Sequence, residues 1–401
     1  MVVAWGLVAD HPAREPDVVG PQAGPADEFL RLACLTYGAD DPVRWANARA
    51  LLAGRPDLGA DSVHVAAARC DAVTLRRLLA DDPGLANAEG GPFGWPPLLY
   101  LTYARHDPYV TPDAVGDAVA ALLDAGADPD AGYLWHSNGP AFTALTGAFG
   151  QGERGLSNQP PHPQWELLAR ALLDAGADPN DEQTLYNRTF EPDDRHLLLL
   201  FEYGLDDADE LAFQLAWAVA HGMHSRIELL VRHGVSPDTE VGGRYGVARR
   251  SAYAAALTSG YPATAELLHA LGAATDLTAE EAVVAALFTG GEVDAGSVAA
   301  AVAARPGLVA WAANRGHRDA VRRAVELGWD VNRRARIDVP SDQEWETGLH
   351  AAAGNGDTGM VELLVELGAD PALTDCRFQA TPAQWAEHFG HHELARSLSD
   401  R

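Results

Sequence analysis

The feature that most constrains the fold of this chain is a ten-residue string that occurs twice almost unchanged. Ala-Leu-Leu-Asp-Ala-Gly-Ala-Asp-Pro-Asp ends at Asp130, and the same string with a final Asn ends at Asn180. Looser copies place a glycine at equivalent points, and the full set is Gly126, Gly176, Gly204, Gly234, Gly272, Gly328 and Gly368. Such recurrence predicts a stack of similar units, each of which buries its apolar face against its neighbours.

The spacing of these glycines indicates the size of one unit. The gaps between successive glycines are 50, 28, 30, 38, 56 and 40 residues. We interpret them as a unit of about thirty residues that carries insertions, with one degenerate copy hidden in the widest gap. A chain of 401 residues would ordinarily divide into two or three globular domains. A stack of small cores requires no such division.

Each unit is predicted to contain two helices. Before each glycine, paired leucines at helical spacing predict an amphipathic helix with one buried face. The glycine supplies the left-handed residue that ends this helix, and Asp-Pro or Asp-Val opens an extended turn. A shorter, alanine-rich helix follows, most clearly within Thr347 to Gly356. The pattern therefore predicts an all-α chain.

The segment from Thr347 to Pro371 resembles the ankyrin repeat. That family is marked by a Thr-Pro-Leu-His-x-Ala-Ala opening and a Leu-Leu-x-x-Gly-Ala-Asp close, and this segment reads Thr-Gly-Leu-His-Ala-Ala-Ala and then Leu-Leu-Val-Glu-Leu-Gly-Ala-Asp-Pro. Gly348 stands where the family has proline. Partial matches begin at His64, Trp95 and Thr381. The resemblance implies a single ankyrin-repeat solenoid over residues 27–401, with about ten stacked helix–turn–helix units and β-turn or loop tips.

Several segments depart from the regular unit. Residues 1–26 are predicted to form a flexible tail rich in proline and aspartate. Residues 151–163 form an insertion between the two helices of one unit. The loops 239–250 and 333–346 are longer than the pattern needs, and residues 275–308 form the degenerate unit.

The charge of the chain limits its partners. It contains 57 Asp and Glu against 29 basic residues, all of them Arg, and its formal net charge is −28. This balance argues against nucleic-acid and anionic-membrane binding, whereas it permits a basic protein partner. The absence of Lys excludes Schiff-base chemistry and a P-loop lysine.

The expected location is the cytoplasm. The N-terminal apolar residues lack a basic region and a cleavage site, so no signal peptide is expected. No apolar stretch approaches the 18 residues of a membrane span. Cys34, Cys70 and Cys376 are odd in number and widely spaced, which favours a reducing compartment over a disulfide framework or a zinc site.

Lone histidines and aspartates carry the metal hypotheses. His388, His391 and His392 form the densest group of potential ligands, but they straddle Gly390, so no metal site is predicted, and no cofactor is expected. The resemblance implies that His350 and the matching His64 hydrogen-bond backbone between units. Asp residues after the glycines, such as Asp128 and Asp130, are interpreted as turn caps.

Aromatic residues concentrate between residues 95 and 190. By alignment to the repeat, some of them fall near the concave face that the family forms from loop tips and short helices; these are Trp95, Tyr103, Tyr133 and Trp135. Clustered aromatic residues are typical binding anchors. The alternative is that they replace small core residues, which we favour for Tyr100 and Phe149.

Arginine is unevenly distributed. None occurs between Ser251 and Ala304, whereas the loop after Asn332 contains several. The candidate anion-binding residues are Arg333, Arg334 and Arg336 with Trp345 in this loop, and Arg249 and Arg250 in an earlier loop. Loop arginines beside an aromatic ring suit a carboxylate or phosphate on a partner, or they pair with acids of the chain itself.

Two functional hypotheses follow. The favoured one is a non-catalytic scaffold that binds another protein on its concave, loop-lined face, for example a basic toxin or nuclease. The alternative is an enzyme or small-molecule-binding protein with a pocket formed by the loop insertions and the aromatic band. Its candidate participants are Tyr133, His136, Tyr186 and Arg188, and no acid, base or nucleophile is assigned among them.

Overall fold

The computed structural model describes residues 19–400 except residues 39, 136–138 and 244–245. The described chain divides into two compact units, one ending at Glu210 and the other beginning at Leu211. The structure is mostly helical, and its strands are two residues long and form two small antiparallel hairpins. The single array expected over residues 27–401 stays a prediction.

The first unit is built from pairs of helices. Its elements are α1 (Pro25–Ala33), α2 (Pro42–Gly54), α3 (Val63–Ala68), α4 (Ala72–Asp81), a 3₁₀ turn (Pro83–Asn87), α5 (Pro97–Tyr103), α6 (Pro112–Asp124), β1 (Gly132–Tyr133), β2 (Phe142–Thr143), α7 (Ala144–Phe149), α8 (Gly155–Asn158), α9 (Trp165–Asp174), α10 (Glu182–Arg188) and α11 (Arg195–Glu202). Helix α1 begins at Pro25, so the last two residues of the predicted tail are helical. Residues 1–18 of that tail lie outside the described residues.

The second unit repeats this plan. Helix α12 (Ala208–Ala220) crosses the boundary in sequence, and the following elements are α13 (His224–Arg232), β3 (Glu240–Val241), β4 (Arg250–Ser251), α14 (Ala252–Thr258), α15 (Pro262–Ala270), α16 (Ala279–Thr289), α17 (Val298–Ala304), α18 (Leu308–Asn314), α19 (Arg318–Glu326), α20 (Gly348–Gly354), α21 (Thr358–Glu366), α22 (Pro382–His388) and α23 (His392–Ser399). The helix pair α16 and α17 occupies the segment predicted to be a degenerate unit.

Within each unit, first helices stack on first helices and second helices stack on second helices. In the first unit α3 packs against α5 and α5 against α7, while α4 packs against α6 and α6 against α9. In the second unit α18, α20 and α22 form one such row, and α19 packs against α21. The first helices are largely buried because alanines allow close approach between neighbours. Each unit therefore has a core between two layers of helices.

The seven recurring glycines end their helices as the sequence predicts. Their φ angles lie between 89° and 108°, in the left-handed region. In each case the residue after the glycine donates its N–H to the carbonyl five residues earlier, at 2.9–3.0 Å, as Ala127 does to Leu122 and Ala369 does to Leu364. This is the Schellman arrangement, which satisfies carbonyls at a helix end that would otherwise have no partner.

A row of Asp and Asn side chains links successive turns. Asn87 Oδ1 accepts the N–H of Asp128 at 2.8 Å, and Asp130 Oδ1 accepts the N–H of Asp178 at 2.9 Å. In the second unit the Oδ1 of Asn332 accepts the N–H of Asp370 at 2.8 Å. We call this row the Asx ladder. The aspartates also cap their own turns, since Asp128 Oδ1 accepts the N–H of Asp130 at 3.0 Å, as the sequence predicts.

Three irregular segments interrupt the helix pairs. The insertion 151–163 follows α7, contains α8, and precedes α9. The loop 239–250 is a hairpin in which Glu240 pairs with Ser251 and Val241 with Arg250. The loop 333–346 is closed at its base by an antiparallel bridge between Ala335 and Glu346.

Candidate functional site

The aromatic residues of the first unit form one stacked cluster. The Trp95 ring stacks on Tyr133 with centroids 4.6 Å apart, and Tyr133 stacks on Phe142 at 5.4 Å. Tyr103 lies against both Trp95 and Tyr133, at 5.1 and 5.8 Å. The cluster thus spans α5 and the β1–β2 hairpin.

Two of these residues are not exposed as predicted. The side chain of Trp95 is 4% exposed and that of Tyr103 is 0% exposed, so neither offers a free ring to a partner. Tyr103 is buried because Gly147 leaves room for it: a Cβ at Gly147 would lie 2.3 Å from the Tyr103 ring. The Tyr103 hydroxyl donates to the Thr143 carbonyl at 2.9 Å. Burial of Tyr100 and Phe149 in the core is confirmed.

The remaining members of the aromatic group differ in exposure. Tyr133 and Trp135 are half-buried, and Leu134 between them is exposed. His136 lies outside the described residues. Of these three described residues, Leu134 therefore has the most accessible side chain.

Several polar atoms beside the cluster are buried. Within the described residues, Tyr133 Oη and Gln151 Oε1 have no hydrogen-bond partner, and the Tyr37 hydroxyl has only the Asn187 side chain close enough to act as one. The rings of Tyr37 and Tyr133 lie on the same Phe142, with centroids at 4.8 and 5.4 Å. Buried polar atoms are almost always hydrogen-bonded in folded proteins. We call these four residues the polar cluster.

The insertion 151–163 forms one side of the polar cluster. A Cβ at Gly152 would lie 3.2 Å from the Tyr37 ring, which places the start of the insertion against that ring. Gln151 adopts a left-handed φ of 60° and donates its N–H to the Gln159 carbonyl at 2.7 Å. Asn187 is oriented by its Oδ1, which accepts from Gln183 at 2.8 Å.

A buried arginine anchors the insertion. Arg105 donates to the carbonyls of Pro160 at 2.8 Å and Gly147 at 2.5 Å, and also to those of Thr102 and Ala104. Burial lowers the pKa of the Arg105 guanidinium to about 10. Sequence reasoning missed this residue because no motif marks an arginine that binds only backbone carbonyls.

Two residues proposed for a pocket have internal partners. The Tyr186 hydroxyl donates to Glu153 of the insertion at 2.6 Å. Arg188 is buried and forms an ion pair with Asp193 at 3.1 Å. Tyr186 therefore joins α10 to the insertion, and Arg188 joins α10 to the segment that follows it.

In the second unit, the arginines of the loop 333–346 pair within the chain. Arg333 forms an ion pair with Glu344 at 2.8 Å, and Arg336, which is 3% exposed, forms one with Asp338 at 2.5 Å. Arg334 donates to the Thr374 carbonyl at 2.9 Å. The sequence allowed two interpretations of this loop, an anion site for a partner or pairing with acids of the chain itself. The contacts of Arg333 and Arg336 are of the second kind.

Trp345 lies between loop tips. The guanidinium carbons of Arg336 and Arg377 lie 3.9 and 4.3 Å from the Trp345 ring centroid. Phe378, next to Arg377, is 52% exposed. Trp345, Arg377 and Phe378 form what we call the tip group. Sequence reasoning found Trp345 but missed Arg377 and Phe378, although the dipeptide sits in the next loop of the repeat.

The carboxyl group of Glu346 is buried below the tip group. It is 2% exposed, and its Oε2 has no hydrogen-bond partner. Burial raises its pKa to about 8, with the charges of Asp338 and Asp375 acting in the same direction. This group therefore keeps a proton at neutral pH in the folded protein.

The two long loops of the second unit lie side by side. A Cβ at Gly246 would lie 3.2 Å from Ser341 Oγ, so the loop 239–250 touches the loop 333–346. Arg249 is exposed, whereas Arg250 is half-buried and donates to Thr258 Oγ1 at 3.0 Å. The structure thus brings both predicted arginine groups to one region.

The repeat histidines are structural, as the resemblance implies. Nε2 of His350 donates to the Ala380 carbonyl at 3.0 Å, and its Nδ1 accepts from the Thr347 N–H at 3.2 Å. His64 donates to the Ala88 carbonyl at 2.8 Å. Burial lowers the pKa of His350 to about 4, so it is neutral at pH 7.

The described residues form neither a metal-ligand cluster nor a membrane-spanning helix. Within residues 19–400 and outside their gaps, no three His, Cys, Asp or Glu side chains are placed to hold a metal ion together. In the C-terminal histidine group, His391 instead bonds the Gly354 carbonyl at 3.1 Å, and His392 contacts Glu387 at 3.0 Å. No described helix is both long and apolar enough to cross a membrane.

Comparison with protein families gives the C-terminal part of the chain a name. The model for ankyrin repeats (3 copies) matches residues 309–401. Residues 309–401 are an ankyrin-repeat region. The match begins at the second residue of α18 and includes α19 to α23, which together make three helix pairs. Ankyrin repeats generally mediate protein–protein interaction.

Curated relatives are similar over a short stretch only. The ARF GTPase-activating protein GIT1 of Homo sapiens, Mus musculus and Rattus norvegicus is 50% identical to the chain over 52 residues in each case. This stretch covers 13% of the chain and 7% of each relative. The chain therefore spans less than a tenth of the length of these relatives.

Proposed function

We propose that the chain is a protein-binding scaffold whose ankyrin repeats extend through both units and whose partner binds the concave, loop-lined face. The extension beyond residues 309–401 is supported by the Schellman turns at all seven glycines and by the Asx ladder, which occurs in both units. Hydrogen bonds of one type at one position of each unit are expected of a repeat array.

The tip group carries the binding proposal. Tryptophan and arginine are over-represented among the residues that dominate binding energy, and aromatic rings are enriched in interfaces. The tip group offers such residues on adjacent loops of an ankyrin-repeat region, and more than half of Phe378 is exposed. A rigid array would present them with little change of shape on binding.

The partner is proposed to be basic, in the manner of a cationic toxin or nuclease. The formal net charge of −28 would attract a cationic protein over a distance that depends on salt. In the loop 333–346, Arg333 and Arg336 do not oppose this attraction, because they are neutralised by Glu344 and Asp338. Attraction of this kind raises association rates at low ionic strength.

The test is affinity capture from native cell extract with three baits. The wild-type chain and Tyr109→Ala, which removes an 88% exposed ring in the first unit, are expected to retain the partner. Phe378→Ala is expected to weaken retention at least about tenfold, as for an interface residue worth more than 1.4 kcal/mol. Equal retention by Phe378→Ala contradicts the tip group, and equal retention at low and high salt contradicts the electrostatic part.

A second candidate function is favoured by the polar cluster of the first unit. We infer that this cluster takes a small, uncharged molecule with both hydrogen-bond donors and acceptors, held beneath the insertion 151–163. Two hydroxyls, an amide N–H and an amide oxygen would supply both types of contact. Leaving such groups buried and unbonded costs about 1–3 kcal/mol each, which a bound molecule would recover.

Native mass spectrometry tests this second candidate. The purified wild-type chain is expected to carry an added small mass that is released on denaturation. The double variant Tyr37→Phe and Tyr133→Phe removes both hydroxyls while keeping the rings, and it is expected to lose that mass. Its control is Tyr109→Phe, whose ring is exposed. A wild-type chain without added mass contradicts the inference.

A further inference from the structure

Three arginines of the second unit lie together without an ion pair. Arg250 and Arg305 both bond Thr258, since Arg250 donates to its Oγ1 at 3.0 Å and Arg305 to its carbonyl at 3.3 Å. Arg315 lies over the Trp311 ring, with its guanidinium carbon 3.1 Å from the centroid. Trp311 in turn donates to the carbonyl of Ser259, the residue after Thr258.

Arg305 is the innermost of the three. Its side chain is 4% exposed, and burial together with the nearby charge of Arg250 lowers its pKa to about 9. A guanidinium has five N–H donors. Within the described residues, Arg305 donates one hydrogen bond, to the Thr258 carbonyl. Burying a charge in this way is costly unless an opposite charge is paired with it.

The acids of the chain approach these arginines without pairing with them. The negative charge of Asp342 favours the protonated form of both Arg250 and Arg305, which raises their pKa. Its Oδ1, however, accepts the Gly307 N–H at 2.7 Å. The charge of Glu281 likewise raises the pKa of Arg250. The charge of Asp338 raises the pKa of Arg315, but Asp338 forms its ion pair with Arg336. Across the described residues, none of these acids comes within the 4.0 Å of an ion pair with Arg250, Arg305 or Arg315.

Two arginines of the neighbouring loop 333–346 differ from these three, because they form ion pairs. Arg333 and Arg336, in the adjacent loop, each have a carboxylate at 2.8 Å or less. The chain contains 57 acidic residues and 29 arginines, so it has more carboxylates than its arginines need as ion-pair partners. Within the described residues these three arginines have no carboxylate partner, although Arg315 donates to the Ile337 carbonyl at 2.9 Å and bonds Tyr261. A shortage of acids does not explain this.

The end of α14 compensates only part of this charge. Thr258 is the last residue of α14, and carbonyls at a helix C-terminus carry a partial negative charge equivalent to roughly half a unit. The Thr258 carbonyl accepts from Arg305, whereas Arg250 lies beside it on the Thr258 hydroxyl. A net positive region remains, and Arg250, which is half-buried and follows the exposed Arg249, connects it to solvent.

We propose that Arg250 and Arg305, with Arg315 beside them, form an anion site that binds a small tetrahedral oxyanion of the phosphate class. Two guanidiniums that share Thr258 can each donate paired N–H groups to oxyanion oxygens, the geometry in which arginine recognises phosphate. This site is separate from the tip group and independent of the proposed protein partner.

The test is calorimetric titration of the full chain with inorganic phosphate and, separately, with O-phosphoserine, both against potassium chloride of equal ionic strength. Binding of inorganic phosphate alone identifies a free anion as the ligand, and binding of both identifies a phosphate monoester as acceptable. Arg250→Gln is expected to weaken binding at least tenfold, while Arg249→Gln, the exposed neighbour, is expected to change it less than twofold.

Arg305→Met gives a second measurement, with circular dichroism as the check that it folds. It is expected to abolish binding of phosphate. A wild-type chain that responds equally to phosphate and chloride overturns the proposal, and so does an Arg250→Gln chain that binds phosphate as tightly as wild type.

Discussion

Asn87 is joined to the turn after the next helix pair by two hydrogen bonds of opposite direction. Its Nδ2 donates to the Gly126 carbonyl at 2.7 Å, and its Oδ1 accepts the N–H of Asp128 at 2.8 Å. Asn332 makes the same two contacts in the second unit, with Gly368 at 3.2 Å and Asp370 at 2.8 Å. An asparagine here fixes the turn on both sides, whereas an aspartate can only accept.

Removal of one rung of the ladder is expected to lower stability measurably. Asn332→Ala loses both hydrogen bonds to the next turn, and the free energy of unfolding in urea should fall by about 1 kcal/mol. Asn332→Asp keeps the acceptor and loses the donor, so it should lie between Asn332→Ala and wild type. An Asn332→Ala chain as stable as wild type would show that the ladder contributes nothing.

The left-handed glycines give a second prediction, about backbone conformation alone. Gly126 has a φ of 89° and open space where a Cβ would stand, so Gly126→Ala changes only the backbone preference. The expected loss is about 1–2 kcal/mol. Gly54 ends α2, also has open space, and has no left-handed φ, so Gly54→Ala is the matched control in the same unit. It should leave the unfolding midpoint unchanged or raise it slightly.

A third prediction uses the absence of lysine. Trypsin can cleave this chain only after arginine, and Arg154 is an exposed arginine within the insertion 151–163. Arg105→Met removes the bond to the Pro160 carbonyl that anchors the insertion. Limited trypsin digestion should then cut after Arg154 several times faster than in wild type.

The control for this digestion is Arg49→Met. Arg49 donates to the His106 carbonyl at 2.7 Å in the same unit. Among the described residues, it forms no hydrogen bond with the insertion. Its cleavage after Arg154 should match wild type. If both variants are cleaved at the same rate as wild type, Arg105 does not hold the insertion.

The fourth prediction concerns pH and Glu346. Its pKa is about 8 in the folded chain and about 4.5 when exposed, so between these values the folded protein keeps a proton that the unfolded chain has released. Stability contributed by this group is therefore lost as pH rises from about 4.5 to 8. Glu346→Gln should be more stable than wild type by roughly 1–3 kcal/mol at pH 8 and much closer to it at pH 5.

Denaturation at both pH values measures this difference. Glu344→Gln, an exposed carboxylate of the same loop, is the control and should alter the pH dependence far less. A Glu346→Gln chain whose stability falls with pH in parallel with wild type would contradict the assignment of a proton to the buried carboxyl.

The regular parts of the fold could be predicted from the sequence because their signals are local. A glycine after paired leucines ends a helix wherever it occurs, and Thr347 with His350 begins one by reciprocal bonds that involve residues three apart. The caps, turns and helix pairs follow from such short-range chemistry. The insertion was also found, since it interrupts a pattern known on both sides.

The site residues were harder because their environment depends on distant contacts. Alignment to the repeat predicts Trp95 and Tyr103 near the concave face, but the ring of Tyr103 fills space left by Gly147, 44 positions later in the chain. A glycine where the short helix normally has alanine was the available signal. The pairing of Arg336 with Asp338 and the shared contact of Arg250 and Arg305 with Thr258 depend on how two long loops fold.

The Asx ladder also sets a rule for exchanging repeats between chains. A cut placed between Asn332 and Gly368 separates the side chain of one rung from the N–H and carbonyl that it serves. A recombined chain therefore keeps its turns aligned only when the incoming segment brings an Asp or Asn at the junction and a free N–H two residues after its glycine. Asparagine and aspartate at this position act as the connector by which whole repeats can be added, removed or swapped.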